Sequence, residues 1–145
     1  MKYTGRHSLQ LGRYSQHFSE VSIGTKNLGD YGEDKASLFL KKRGFFVIQR
    51  NFHAGRGGEI DIICRKENTI VFVEVKLRRS EIKGSPRDAI TPFKAKKMLF
   101  TAKCWLNLHR EFSDMSYRFD FIGISYEKDN PVIDYIENIL ESSEF

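Results

Sequence analysis

The fold of this chain is most constrained by two short β-branched segments, Ile60–Cys64 and Ile70–Lys76, which follow each other closely. Both are nearly apolar, which is typical of central strands that are buried on both faces of a sheet. A two-residue turn at 67–68 would pair them as a hairpin and place Asp61 directly opposite Glu74. The sequence therefore predicts a buried hairpin that carries acidic side chains.

The charged side chains of this hairpin are predicted to share one face of the sheet. Lys76 follows Glu74 by two residues and so points the same way. Ile60 and Ile62 are expected on the opposite face. A register slip of two residues would still leave Asp61 and Glu74 on one face, as diagonal neighbours.

Two carboxylates on a buried face repel each other, and Lys76 can neutralise only one of them. A divalent cation bound by oxygen atoms of Asp61 and Glu74 would compensate for the remaining charge. Mg²⁺ in such sites leaves coordination positions for water and substrate phosphate, which suits phosphodiester hydrolysis. The structural alternative is a plain salt bridge between Lys76 and one acid.

The flanking segments predict a mixed sheet with helices around it. A helix over 29–43 could be capped by Asn27 or Asp30 and ended by Gly44, and its apolar stripe continues to Glu33. Thr91-Pro92 is a helix-opening pair, and that second helix would run to about residue 109. Further strands are predicted at 45–48, 119–126 and 132–136. The predicted class is α/β (an α+β mixed sheet), with residues 27–145 as one domain and residues 1–26 as a mobile basic extension.

The overall charge favours a polyanionic partner. The 145 residues include 24 Lys and Arg against 19 Asp and Glu, and the acids are concentrated in the last segment, 127–145. The remainder is strongly basic, which makes nucleic acid the first candidate. No apolar run is long enough for a membrane span, and the first residues carry no apolar signal segment. Cys64 and Cys104 are too far apart for a CxxC pair, so we expect a cytoplasmic protein without disulfides.

The motifs together resemble the core of the PD-(D/E)xK nucleases. More narrowly, they resemble the bacterial YraN (UPF0102) family of predicted endonucleases, which is similar to archaeal Holliday-junction resolvases. The segments that carry the resemblance are GEID at Gly58–Asp61, VFVEVK at Val71–Lys76, Gly32-Glu33, Asn51, Thr91-Pro92-Lys94 and Arg118-Phe119-Asp120. No Pro precedes Asp61, which departs from the pattern. The resemblance implies a restriction endonuclease-like core with a central mixed β-sheet flanked by helices.

The resemblance also implies roles for individual residues. Asp61 and Glu74 would bind Mg²⁺ or Mn²⁺, with the backbone carbonyl of Val75 as a further ligand. Lys76 would contact the scissile phosphate and stabilise the attacking hydroxide. Glu33 would hold a metal-bound water or a second metal.

Other charged residues have weaker assignments. Glu59 is predicted to point away from Asp61, Asp120 to have a structural role beside Arg118, and Trp105 to lie in the core. The lysines of the second helix could equally be a solvated face, and the loop at 56–58 an ordinary flexible one. The residues predicted to contact nucleic-acid phosphates are Arg56, Arg78, Arg79, Lys94, Lys96 and Lys97.

The leading hypothesis is a metal-dependent endonuclease that acts on DNA, including branched or damaged DNA. The alternatives are a non-catalytic nucleic-acid-binding module that keeps the fold, and an interaction protein whose basic surface binds an acidic protein. Cutting a symmetric four-way junction would need two copies, so a homodimer is compatible with the first hypothesis.

Overall fold

The computed structural model describes residues 4–8, 25–77, 88 and 90–140. In this part of the chain a six-stranded mixed sheet is flanked by two α-helices, which confirms the α/β class and fits a restriction endonuclease-like core. The elements are β1 (Thr4–Ser8), α1 (Thr25–Lys42), β2 (Phe46–His53), β3 (Glu59–Lys66), β4 (Thr69–Leu77), α2 (Pro92–Leu108), a 3₁₀ turn (Arg110–Phe112), β5 (Ser116–Glu127) and β6 (Asn130–Ile136).

The strand order is β1-β6-β5-β4-β3-β2, and β4 with β5 is the parallel pair. The neighbouring strand pairs of the sheet are otherwise antiparallel. Helix α2 lies in the connection between β4 and β5, as a parallel crossover requires. No helix in the described part of the chain is long and apolar enough to cross a membrane.

The central hairpin has the predicted register. Ile62 pairs with Val73 and Lys66 with Thr69, on either side of a turn in which Glu67 takes a left-handed φ of 52°. The ladder between β3 and β4 ends at Ile62. Beyond it, the Asp61 carboxylate accepts a hydrogen bond from the backbone N–H of Val75 at 2.7 Å. A side chain thus replaces the backbone ladder at this point, and the carboxylate is fixed between the two strands.

Two apolar layers cover the faces of the sheet. The α1 layer includes Leu40, Ile62 and Val73, and the α2 layer includes Phe72 and Trp105. Trp105 is fully buried, as predicted, and donates its indole N–H to Gln49.

One face assignment was wrong. Ile60 packs in the α2 layer, whereas Ile62 packs in the α1 layer. The alternation of β3 breaks at Asp61, where its pairing with β4 ends.

The helices confirm most of the predicted boundaries. Thr91 caps α2 by accepting the Lys94 N–H, and Pro92 is its first residue. Gly44 ends α1 with a φ of 86°. However, α1 begins at Thr25, so Asn27 and Asp30 lie inside the helix and neither caps it. No proline interrupts residues 25–29, and the helix extends through them.

The predicted N-terminal extension is described only in part. Residues 4–8 form β1, which pairs antiparallel with β6 from Thr4 and Ile136 to Ser8 and Val132. Residues 9–24 lie outside the described ranges. The domain boundary at residue 26 therefore stays a prediction.

Candidate active site

The residues predicted to be catalytic line a single cleft of about 400 Å³. Asp61, Glu74 and Lys76 come from the ends of β3 and β4, and Glu33 comes from the inner side of α1. The first turns of α2 form another wall, with Phe93, Lys94 and Lys97.

Asp61 is the least compensated acid of the cleft. Within the described part of the chain, its carboxylate accepts a hydrogen bond from the backbone N–H of Val75. Burial is the largest cause that raises the pKa of Asp61, to about 7, and the negative charge of Glu74 is the second. The hydrogen bond from the Val75 amide acts in the opposite direction and lowers the pKa. Glu33 and Glu59 add smaller contributions in the same upward direction. A carboxyl group in this environment resists ionisation unless a cation is near.

Glu74 has the opposite surroundings. Its buried carboxylate forms an ion pair with the Lys94 ammonium, and the Lys76 ammonium lies 3.6 Å from the same oxygen. Burial lowers the pKa of Lys94, but the hydrogen bond to Glu74 and the charges of Glu74 and Asp61 outweigh it, so that the pKa is raised. Glu74 is therefore neutralised by side chains of the protein itself.

Lys94 was predicted to grip nucleic-acid phosphate, and the structure places it inside the cleft against Glu74. The sequence did contain a signal for this position. A cation in the first turn of a helix opposes the helix dipole, so Lys94 needs a nearby negative charge. Whether its long side chain reaches Glu74 on β4 depends on how α2 packs against the sheet, and the sequence pattern of α2 does not determine that packing.

Glu33 is buried on α1, as its place on the apolar stripe predicted. It accepts hydrogen bonds from Asn51 Nδ2 at 2.8 Å and from an Arg50 guanidinium nitrogen at 3.3 Å. Arg50 also contacts Asp34 at 2.6 Å. The contacts of Arg50 were not predicted from the sequence. These contacts from β2 fix the direction of the Glu33 carboxylate.

Glu59 does not point away from Asp61 as predicted. Carboxylate oxygens of Glu33, Glu59 and Asp61 lie within 4.8 Å of one another. The break in alternation at Asp61 is the physical reason, because it returns Glu59 to the cleft. Glu59 also lies 3.5 Å from the His53 ring.

The predicted phosphate-binding residues are not all brought together. Lys97 lines the cleft and lies over the Phe93 ring. Lys96 and Arg56 are exposed and do not line the cleft. Arg78 and Arg79 lie outside the described residues.

The loop that contains Arg56 is internally bonded. The Gly57 N–H donates to the Ala54 carbonyl at 2.8 Å, and the Ala54 N–H donates to the Gly58 carbonyl. The Gly57 amide is thus engaged within the loop, which weakens its case as a phosphate ligand.

The residues present fit a hard divalent cation. The donors are carboxylate oxygens, which Mg²⁺, Mn²⁺ and Ca²⁺ prefer. Oxygens on opposite sides of a bound Mg²⁺ lie about 4.2 Å apart, and those of Ca²⁺ up to about 5.2 Å. The acidic oxygens of Glu33, Glu59 and Asp61 lie within 4.8 Å of one another, so small rotations of these side chains would bring them onto one ion. Glu74 lines the same cleft, although its oxygen now contacts Lys94.

The comparisons with known proteins point to one family. The family model described as "Uncharacterised protein family UPF0102" matches residues 32–124, a range that contains all four predicted catalytic residues. A UPF0102 protein of Geobacter metallireducens is 41% identical over 121 residues, which cover 83% of this chain and 98% of that protein. One of Geobacter sulfurreducens is 42% identical over 123 residues, covering 84% and 94%. One of Caldicellulosiruptor saccharolyticus is 42% identical over 109 residues, covering 75% and 91%.

Proposed function

The chain belongs to the UPF0102 family, and from the chemistry of its cleft we propose that it is a metal-dependent endonuclease that hydrolyses phosphodiester bonds in DNA. The observation that carries the proposal is the poorly compensated negative charge of Asp61. Its carboxylate is held between two strands, close to the charge of Glu74. This costs free energy in the absence of a cation and becomes favourable when one is bound.

Asp61 and Glu74 would hold the ion, together with the backbone carbonyl of Val75, and Glu33 and Glu59 would supply further oxygens from the same cleft. When bound, Mg²⁺ or Mn²⁺ would act as a Lewis acid on the phosphate and on the attacking water. Glu33 is oriented by Asn51 and Arg50, so its carboxylate can accept a proton or orient a water in one direction.

Lys76 and Lys94 would act on the phosphate itself. Both ammonium groups lie at Glu74, where a non-bridging phosphate oxygen would approach the carboxylate cluster. An ammonium placed there stabilises the negative charge that develops during hydrolysis, and such groups are worth more in a site from which water is excluded. Lys97, on the same wall, would hold the adjacent backbone of the polyanion.

Cleavage assays test the proposal directly. The protein is incubated with labelled linear, flapped and four-way DNAs, and with a matched RNA, in Mg²⁺, Mn²⁺ or EDTA. We expect DNA cleavage that requires the metal and is lost in Asp61→Asn. Asp114→Asn, which changes an exposed acid outside the cleft, is the matched control and should cut like the wild type. Absence of cleavage in every metal, or full activity of Asp61→Asn, would contradict the proposal.

One observation favours a second candidate, a nucleic-acid-binding module without catalysis. Lys94 and Lys76 already compensate Glu74, so this acid does not require a metal. Such a module would bind DNA equally well in EDTA, would cut none of the substrates, and would show no change in melting temperature on addition of Mn²⁺. The mass of the complex on a four-way junction would report whether two copies bind, as a symmetric cut requires.

A further inference from the structure

An aromatic side chain in the wall of the cleft is exposed to solvent. Phe93, the second residue of α2, is 68% exposed and lines the same cleft as Glu74, Lys76 and Lys94. A single exposed Phe on a soluble protein is ordinary. This one differs in its neighbours, because the Lys97 ammonium lies 4.8 Å from its ring centroid.

The same helix face carries a second exposed aromatic. Phe100 is 54% exposed and follows Phe93 by two turns, with Lys97 between them. A Cβ atom at Gly57 would overlap the ring of Phe100, so the missing side chain lets the β2–β3 loop lie against one edge of that ring. The Phe93–Lys97–Phe100 stripe is therefore a defined surface. It extends about 10 Å along α2 at a rise of 1.5 Å per residue.

The alternation of aromatic and cationic side chains fits single-stranded nucleic acid. Unpaired bases stack on exposed rings, and ammonium groups between the rings contact the phosphates. The length of the stripe corresponds to about three stacking steps of roughly 3.4 Å. A base inside a continuous duplex is already stacked on both faces and cannot offer a face to Phe93.

We propose that the Phe93–Lys97–Phe100 stripe is a stacking platform for unpaired bases, so that the cleft takes DNA with a single-stranded segment beside the phosphate that is cut. The inference rests on the proposed function in so far as the adjoining cleft is the place of cleavage. Phe93 belongs to the stripe and also lines the cleft, so a strand that stacks on it would lie beside Lys94 and Lys76, which line the same cleft. The preferred substrate is then a tailed or flapped duplex, ahead of a blunt duplex or a fully paired four-way junction.

Binding measured without cleavage tests the platform. The full-length protein in EDTA is titrated with a tailed duplex, a blunt duplex and a fully paired four-way junction, with 2-aminopurine in the tail to report stacking. We expect the tail fluorescence to fall on binding. Phe93→Ala should weaken binding of the tailed duplex by about 5-fold to 150-fold, the range for loss of one stacked base. Phe93→Trp should retain the affinity, and Phe100→Ala should weaken it by no more than Phe93→Ala does.

The matched control is Phe46→Ala. Phe46 is as exposed as Phe93, at 70%, but it lies at the end of β2 remote from the cleft, opposite Arg65. It should leave binding unchanged. Salt dependence separates stacking from charge: Phe93→Ala should leave the slope of log K against log salt unaltered, whereas Lys97→Gln should reduce its magnitude by about 0.7 on a single strand.

Equal binding of tailed and blunt duplexes, or a Phe93→Ala effect no larger than that of Phe46→Ala, would overturn the platform. A parallel cleavage assay in Mn²⁺ keeps the two proposals apart. If Phe93→Ala cuts the tailed duplex at the wild-type rate, the platform alone is overturned. Tail-dependent, Phe93-dependent binding without any cleavage overturns the nuclease proposal alone. Failure to bind any of the DNAs overturns both.

Discussion

Two acids on the central strands, the half-buried Asp61 and the fully buried Asp120, have opposite surroundings. Asp120, on β5, accepts hydrogen bonds from Arg118, from the Tyr135 hydroxyl and from the backbone N–H of Asn138. Asp61, on β3, has the Val75 amide and faces other acids. Burial raises the pKa of both groups, but at Asp120 every other influence acts to lower it, whereas the charges around Asp61 raise it further.

The difference separates a structural acid from one prepared for a ligand. A buried charge is tolerated when donors surround it, as they do at Asp120. This confirms the structural role predicted for Asp120. Asp61 is not surrounded by donors in this way within the described residues, and a bound divalent cation is the group proposed to compensate its charge.

The largest expected effect is on cleavage. Asp61→Asn should lower the rate by at least about 10²-fold to 10³-fold, the loss usual for one group that stabilises a transition state. Asp120→Asn should leave the rate of the folded protein within a few-fold of wild type, because its contacts are to Arg118, Tyr135 and Asn138 and not to the cleft. Rates are compared at low temperature with protein shown by circular dichroism to be folded. Similar losses in both variants would remove the distinction between the two acids.

The second effect is on stability, where a substitution at Asp120 should cost more than one at Asp61. Asp120→Ala should lower the free energy of unfolding by about 3–5 kcal/mol, since it leaves the half-buried Arg118 guanidinium and the buried Tyr135 hydroxyl without their acceptor. Urea denaturation measures the change, and Asp114→Ala is the exposed control. A loss below about 1 kcal/mol, the value of a surface ion pair, would show that the Asp120 network is open to solvent.

The third effect is the response to metal. At a hundredfold excess of Mn²⁺ or Mg²⁺ over its dissociation constant, the wild type should gain about 2.7 kcal/mol of stability. Asp61→Asn and Glu74→Gln should each lose most of this gain, whereas Asp120→Asn should keep its metal response. The measurement is a thermal melt across a metal titration at fixed ionic strength. Equal gains in wild type and Asp61→Asn would exclude Asp61 as a ligand.

The sequence predicted the acids of the central hairpin better than the groups around them. Strand alternation and a two-residue turn were enough to register β3 against β4 and to place Asp61 and Glu74 beside one another. Glu59 was misplaced because β3 stops alternating where the Asp61 side chain takes over a backbone hydrogen bond, which is a tertiary event.

The contacts of Lys94 and Arg50 escaped prediction for a related reason. Both side chains reach from one element to an acid on another, Lys94 from α2 to Glu74 and Arg50 from β2 to Glu33. Local pattern determines which face a residue takes on its own element. It does not determine how far a long side chain extends after the elements dock.

The smallest expected effect is the pH dependence of the metal-free protein. The pKa of Asp61 is raised in the folded state to about 7 from an ordinary value of 3.8, so between these values the folded protein binds more protons than the unfolded one. Its contribution to stability is therefore greatest below about pH 4 and is lost as the pH rises towards about 7. Asp61→Asn should remove this loss and, at pH 7.5 in EDTA, should be more stable than the wild type by about 0.2–1 kcal/mol, the cost of like charges side by side on a sheet. Burial also raises the pKa of Asp120, but both of its oxygens accept hydrogen bonds, from Arg118, Tyr135 and the Asn138 amide. Asp120→Asn should therefore be less stable than the wild type under the same conditions, because an amide nitrogen would face these donors in place of an acceptor. Urea denaturation of the three proteins in EDTA from pH 4 to pH 8 tests the signs. If the wild type and Asp61→Asn keep a constant difference in stability over this range, Asp61 titrates normally in the folded protein and its acidic neighbours do not destabilise its charge.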